Sequence, residues 1–231
     1  MERFYFITYD YSKSGVPAYL EAGLYDKFIN KEEYIKNTPL PSYDAKFTPE
    51  WRRTSMLNDS LQMPSKLYLI NKHRKIDFDI YAKEGGFIIS NDFKKIIDSF
   101  GHPKYISSPL EIRTREGVCN ANKEYWYIKI IEPSPCVDFT YSKVKIHDNT
   151  KMNVQPRIDE YLGELYLKSD LFMSKDCFFI DNVYLNMYLF CNGDTYDKIM
   201  NSKIRTIKLL EIETFFEYLN VTKRKIKLIV K

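Results

Sequence analysis

The sequence predicts an α+β protein with mixed, mainly antiparallel sheets and a few short amphipathic helices. Several short segments rich in aromatic and β-branched residues alternate between apolar and polar side chains, as strands with one buried face do. Two further segments join a short strand to a helix in which apolar residues recur at i, i+3, i+4 and i+7. The aromatic content of 16% also favours a fold rich in strands.

The length of the chain bounds its domain organisation. A chain of 231 residues can bury a core without metal or disulfide cross-links, and we expect a single α+β domain over residues 1–231. Five of the ten prolines lie between residues 15 and 65, which predicts short elements separated by loops there. The alternative organisation is therefore a loop-rich N-terminal part over residues 1–65, followed by a second unit over residues 66–231.

Charge and hydropathy bound the function classes. The net charge of +4 is too small to indicate a nucleic-acid or membrane partner by itself. The first residues, MERFYFITYDYSK, contain neither a basic leader nor a cleavage site, so we expect no signal peptide. The longest uncharged stretch, residues 182–193, is shorter than the roughly 20 residues that cross a bilayer. We therefore expect a cytoplasmic protein without a membrane partner.

The four cysteines carry no metal or redox signature. They are far apart in the sequence and include no C-x-x-C pair, so neither a zinc ribbon nor a redox motif is indicated. We expect reduced thiols in the core or at strand edges, and a disulfide is the alternative that an even number of cysteines leaves open. The four positions are Cys119, Cys136, Cys177 and Cys191.

The N-terminal region begins with a predicted strand at residues 3–9, RFYFITY, where aromatic and β-branched residues are concentrated. Helices are predicted at residues 31–36 and 49–57, and Pro49 suits the first position of the second helix.

This second helix contains a candidate partner-binding cluster of Trp51, Arg52 and Arg53. Tryptophan and arginine are enriched among the residues that dominate binding energy at protein interfaces. The alternative is a packed tryptophan beside two solvated arginines.

Two strands are predicted next, at residues 66–70 and 76–81. The first strand–helix unit follows, with its strand at residues 87–89, Ser90 or Asn91 as the helix cap, and Gly101 just after the last turn. The predicted buried face of this helix consists of Phe93, Ile96, Ile97 and Phe100.

The middle of the chain is predicted to contain three strands. The first covers residues 110–113, and the second, residues 124–131, should be central because its apolar residues alternate on both faces. Trp126, Ile128 and Ile130 share one of these faces. The third covers residues 136–146, and a bulge near residue 142 would explain why its apolar alternation shifts there.

The last third repeats the strand and helix patterns. Apolar segments lie within residues 162–171, 178–180 and 183–191, and a short helix capped by Thr195 follows with Tyr196, Ile199 and Met200 facing inward. A second strand–helix unit begins with a strand at residues 204–209, and residues 223–231 read as a closing edge strand. The predicted buried face of the second helix consists of Ile212, Phe215, Phe216 and Leu219.

The outer face of this second helix is acidic. Glu211, Glu213 and Glu217 are predicted to point away from the core, where they could meet a basic cleft on a partner protein. The alternative is an ordinary solvated helix face.

Catalytic and cofactor motifs are absent from the sequence. The three histidines are far apart, and neither a glycine-rich phosphate loop nor an H-E-x-x-H motif occurs, so we expect no catalytic residue, cofactor or metal. An enzyme hypothesis rests on Asp138 with His147, or with distant carboxylates that folding brings together. Its alternative is that Asp138, Thr140 and Ser142 form a solvated or locally hydrogen-bonded face.

A nucleic-acid-binding or regulatory module is a further alternative. It rests on tyrosines and lysines that alternate at residues 125–129 and on the lysines of residues 223–227.

Three segments together resemble a family of bacterial immunity proteins that are encoded beside polymorphic toxin genes. They are FIISNDFKKIIDSF at residues 87–100, CVDFTYSKV at residues 136–144 and RTIKLLEIETFFEYL at residues 205–219. The resemblance extends over residues 66–231. It implies a cytoplasmic protein that binds the C-terminal domain of a cognate toxin and blocks it, most simply by occluding its active site. It also implies no enzymatic activity.

Overall fold

The computed structural model describes residues 3–32, 51, 62–101, 103–132, 136–146, 158–180, 185, 187–219 and 225–229. It has the predicted α+β fold, with mixed and antiparallel sheets and short helices. Over these residues, no helix has the length and apolar character needed to cross a membrane.

Strands dominate the element order. The strands are β1 (Phe4–Tyr9), β2 (Ala22–Tyr25), β3 (Leu67–Asn71), β4 (Ile80–Lys83), β5 (Gly86–Ser90), β6 (Tyr105–Thr114), β7 (Tyr125–Ile130), β8 (Val144–Ile146), β9 (Ile158–Tyr161), β10 (Glu164–Lys168), β11 (Cys177–Phe179), β12 (Leu189–Asn192), β13 (Ile207–Glu211) and β14 (Lys225–Ile229). The α-helices that the structure describes over their whole length are α1 (Asn91–Asp98), α2 (Gly193–Met200) and α3 (Phe215–Tyr218). Turns of 3-10 helix occur at Ser169–Leu171 and Ile212–Thr214.

Two larger sheets organise these strands. A six-stranded sheet has the order β2-β3-β6-β7-β5-β4, in which β3 and β6 are parallel and the other neighbours are antiparallel. A four-stranded antiparallel sheet has the order β11-β12-β1-β13. Two-stranded sheets pair β10 with β14 in parallel and β8 with β9 antiparallel.

The two larger sheets enclose a central core and each contributes its other face to a further core. In β1, Tyr5 and Ile7 belong to the central core whereas Phe4 and Phe6 belong to an outer core. In β7 the alternation is as predicted, since Ile128 and Ile130 enter the central core and the tyrosines enter a third core. Successive side chains of one strand therefore stabilise different layers.

The N-terminal residues take part in these layers. Strand β1 lies between β12 and β13, and Val16, Leu20 and Leu24 pack in the third core with residues of β3 and β6. The helix predicted at residues 31–36 is described only at its first two residues, which are helical.

The strand predicted at residues 76–81 lies further along the chain, as β4. The backbone N–H groups before β4 do not form a regular strand ladder. The Ile76 N–H donates to the Asn120 carbonyl, and the Phe78 N–H donates to the Tyr125 side-chain hydroxyl. Asp77 donates to the carbonyl of Gly15, whose φ of +82° and close approach to Asp77 leave no room for a Cβ atom.

Strand β6 is longer than predicted and contains Pro109. Its parallel pairing with β3 begins only at Leu110, so Pro109 is flanked by β7 alone. A proline is tolerated there because one side of the strand needs no N–H donor.

The strand predicted over residues 136–146 is wrong for most of its length. Only Val144–Ile146 is a strand, and Val137 forms an isolated bridge with Leu167. Between them, the Thr140 and Ser142 N–H groups donate to the carboxylate and the carbonyl of Asp138, respectively, and so form a turn.

The first strand–helix unit is confirmed, with Phe93 and Ile97 buried and Ser90 as the cap. The Ser90 hydroxyl accepts the Phe93 N–H at 3.2 Å. The role predicted for Gly101 is wrong, because the helix is closed by the N–H of Ser99, a residue in right-handed conformation.

Helix α2 also differs in its cap. The side chain of Asn192, not Thr195, is the cap, and it accepts the Thr195 N–H at 3.0 Å. Ile199 is buried as predicted, but Met200 is 56% exposed.

Candidate partner-binding surface

The second strand–helix unit is divided into three short elements. Strand β13 ends at Glu211, a 3-10 turn covers Ile212–Thr214, and α3 covers only Phe215–Tyr218. The single helix predicted here is therefore wrong, and the Thr214 hydroxyl instead donates to the Glu211 carbonyl at 2.7 Å. Neither helical segment has a side-chain hydrogen bond that caps its N-terminus.

The apolar residues of this unit are nevertheless buried as predicted. Ile212, Phe215 and Phe216 lie in the outer core, and Leu219 packs against its rim. Because these anchors fix the backbone, the side chains of Glu211, Glu213 and Glu217 are all exposed. We call these three residues the acidic face.

The acidic face carries charge that no described residue neutralises. Its three carboxylates form no ion pair or hydrogen bond within the described part of the chain. Other glutamates are paired: Glu164 lies 2.6 Å from Lys227, and Glu111 contacts both Lys66 and Arg113. The contrast sets the acidic face apart as a local excess of negative charge.

Aromatic and aliphatic side chains flank the acidic face. Leu210, Tyr218 and Leu219 are partly exposed and pack against the outer core. The Tyr218 ring lies 5.4 Å from that of Phe6, and its hydroxyl is 3.3 Å from the Thr8 hydroxyl. These contacts hold the tyrosine in place, so the surface combines charge with a positioned aromatic side chain.

The second predicted cluster is arranged differently. Trp51 is only 6% exposed and packs in the third core, with its ring centroid 6.2 Å from that of Tyr127. Its ring therefore does not offer the exposed contact considered from the sequence. Arg52 and Arg53 lie outside the described residues.

Asp138 is held by local contacts. It is 3% exposed, accepts the Thr140 N–H at 2.9 Å and lies 3.7 Å from the Lys168 ammonium group. Burial acts to raise the pKa of Asp138, but the Thr140 hydrogen bond and the Lys168 charge outweigh it and lower the pKa. His147 is outside the described residues, and within them no group of three or more His, Cys, Asp and Glu residues is placed to hold a metal.

The tyrosine–lysine stretch of β7 is interior. Tyr125, Tyr127 and Lys129 are all buried, and burial lowers the pKa of Lys129 to about 8 against the opposing charge of Glu84. This stretch therefore cannot form the single-strand-binding surface considered from the sequence.

Sequence reasoning missed a buried polar cluster centred on Asp79. The Ser90 hydroxyl, the Thr206 hydroxyl and the Lys123 ammonium group donate to its carboxylate at 2.7, 2.6 and 2.9 Å. Burial acts to raise the pKa of Asp79, but the three donors outweigh it and lower the pKa. Thr206 is 127 residues away in sequence, so no local pattern connects it with Asp79.

Comparison with known proteins adds one match. The family model described as Immunity protein 43 matches residues 8–224. A search of curated proteins finds no match. The matched residues include all three members of the acidic face, as well as Trp51 and Asp79.

Proposed function

We propose, from the premise that this chain belongs to the Immunity protein 43 family, that it binds and neutralises the C-terminal domain of a cognate toxin. The family match is the observation that carries the proposal. The protein acts in the cytoplasm of a bacterium with a polymorphic toxin system, and it blocks the toxin by occluding the toxin's active site. Binding alone is sufficient for this role, without a reaction of its own.

The acidic face is the proposed contact with the toxin. Its three carboxylates lack neutralising partners among the described residues, so their charge acts on an approaching protein. A toxin that cleaves or modifies nucleic acid has a basic cleft, and negative charge steers association with such a cleft. Tyr218 and Leu219 beside the acidic face supply apolar contact area of the kind found at interface centres.

Co-expression tests the proposed function. The toxic C-terminal region encoded beside this gene is expressed with and without the protein, and growth and co-purification are measured. We expect growth rescue together with a one-to-one complex. Rescue without a complex would indicate an enzyme that reverses the damage, and growth arrest despite soluble protein would contradict the proposal.

A further inference from the structure

Strand β13 is an edge of the four-stranded sheet. It pairs with β1 on one side, and none of the described strands pairs with its other side. Its five residues make it longer than the other edge strands of the two larger sheets, since β2 and β4 have four residues and β11 has three. An edge of this kind presents backbone donors and acceptors to another chain.

The hydrogen-bond register shows which backbone groups of β13 face β1. The Asp10 N–H donates to the Thr206 carbonyl at 2.8 Å, immediately before β13. Bonded and non-bonded pairs alternate in an antiparallel ladder. Lys208 and Leu210, which lie two and four residues further along, therefore bond to Thr8 and Phe6 of β1.

The same alternation directs the remaining groups outward. The N–H groups of Ile207, Leu209 and Glu211 point away from β1, together with the carbonyls of the first two residues. The Glu211 carbonyl accepts the Thr214 hydroxyl. The outer edge thus offers three donors and two acceptors at the spacing of an added antiparallel strand.

The opposite side of the sheet gives the same register. The Asn192 N–H donates to the Asp176 carbonyl at 3.2 Å, so Asn192 faces β11 and the adjacent Cys191 faces β1. Tyr5, opposite Cys191, then bonds to it and not to Glu211 on its other side.

Strand β13 has few of the features that usually prevent an edge strand from pairing with another chain. Its sequence, IKLLE, has no proline, and its ladder has no register shift. The Lys208 ammonium group lies 3.1 Å from the Asp10 carboxylate and 5.2 Å from the Tyr11 ring centroid, so intramolecular contacts hold it. Ile207, Leu209 and Leu210 are each partly exposed.

We propose that the outer edge of β13 is the docking site for an extended basic segment of the toxin domain, which pairs with β13 as an added strand. Charge complementarity at the C-terminal end of β13 selects this occupant, because the open edge leads there directly into the acidic face at Glu211. Backbone pairing supplies affinity and fixes the direction of the segment, while the glutamates select basic side chains. The inference rests on the proposed function and specifies how the toxin is bound.

Amide hydrogen exchange measured by NMR tests this docking mode in the unaltered protein. The protein is compared alone and in complex with a catalytically inactive toxin domain. We expect exchange at Ile207, Leu209 and Glu211 to slow by about tenfold or more in the complex. The amides of Lys208 and Leu210 are internal controls, because β1 protects them in both states.

A proline substitution provides a second test. Leu209→Pro removes an outward N–H, and Leu209→Ala removes the same apolar side chain but keeps this donor. We expect the proline variant to bind the toxin domain at least about tenfold more weakly than the alanine variant. Circular dichroism establishes whether each variant is folded. If the proline variant does not fold, the hydrogen-exchange pattern of the unaltered protein tests the docking mode instead.

The outcomes separate this inference from the proposed function. A complex in which the three outward amides still exchange rapidly, or in which both variants bind equally, overturns strand addition but leaves toxin neutralisation standing. Failure of the unaltered protein to form any complex overturns both.

Discussion

The Asp79 carboxylate and the three carboxylates of the acidic face have opposite environments. Asp79 is 1% exposed and receives hydrogen bonds from Ser90, Thr206 and Lys123. The acidic face is exposed, and its carboxylates have no partner among the described residues. The difference indicates that Asp79 stabilises the fold, whereas the acidic face is available to another molecule.

The location of Asp79 explains its structural importance. Ser90 caps helix α1 beside the six-stranded sheet, and Thr206 immediately precedes β13 of the four-stranded sheet. Asp79 bonds to both, so it links the two sheets at the border of the central core. A buried carboxylate is tolerated in this position because its charge is paired and its oxygens accept hydrogen bonds.

Replacement of Asp79 is expected to have the largest effect on stability. Asp79→Ala leaves two hydroxyls without an acceptor and removes the anion closest to Lys123, which keeps Asp77 at 3.1 Å. We therefore expect the free energy of unfolding to fall by about 2–4 kcal/mol. Chemical denaturation measures the change. Asp197→Ala, at an exposed position of α2, is the control and should change stability by less than about 0.5 kcal/mol. Similar losses in both variants would contradict the role of Asp79.

Ser90→Ala should have a smaller effect. It removes the cap of α1 and one donor to Asp79, and we expect the free energy of unfolding to decrease by about 1–2 kcal/mol. Ser99→Ala is the matched control, since among the described residues the Ser99 hydroxyl bonds only to the Ile96 carbonyl, at the exposed end of the helix. Equal thermal midpoints for the two variants would contradict the proposed contribution of the Ser90 hydroxyl to stability.

The pH dependence of the unfolding free energy should show the contribution of the ionised Asp79 carboxylate. The pKa of Asp79 is lower in the folded state than its ordinary value of 3.8, so its ionised form stabilises the fold above that pH. This contribution is lost as the pH falls below 3.8 through the folded pKa. The difference in unfolding free energy between the unaltered protein and Asp79→Asn should therefore be constant near neutral pH and decrease in acid. A constant difference down to the acid transition would contradict this assignment.

Local sequence patterns predicted the buried faces but not the Asp79 cluster. The apolar spacing of Phe93 and Ile97, and of Ile212 and Phe215, is set within one helical turn or two. The partners of Asp79 come from distant segments, so their association depends on how the sheets pack. Packing also decided the environment of Trp51, whose hydrophobic surface is buried in the third core.

Turn chemistry explains the error over residues 136–146. Alternating apolar residues predicted a strand, but the Asp138 side chain accepts the Thr140 N–H and closes a turn. Aspartate competes with strand pairing in this way, and periodicity alone does not register it. The acidic face was predicted as exposed because the buried residues between its members have a clear helical spacing, although the backbone there is divided into three elements.

The smallest stability effect is expected at the acidic face. The triple variant Glu211→Gln, Glu213→Gln, Glu217→Gln removes exposed charges that have no partner among the described residues, so its unfolding free energy should differ by less than about 0.5 kcal/mol. Chemical denaturation under the conditions used for Asp79→Ala allows direct comparison. A loss of several kcal/mol would mean that these carboxylates support the fold.

The affinity of this triple variant for the toxin domain tests the central claim most directly. A control variant, Glu160→Gln, Asp170→Asn, Asp197→Asn, removes the same number of exposed charges elsewhere. Calorimetry at low and high salt should show that the acidic-face variant binds at least about tenfold more weakly at low salt, that salt reduces the difference, and that the control binds normally. Equal affinity of the acidic-face variant and the unaltered protein at low salt would contradict the account.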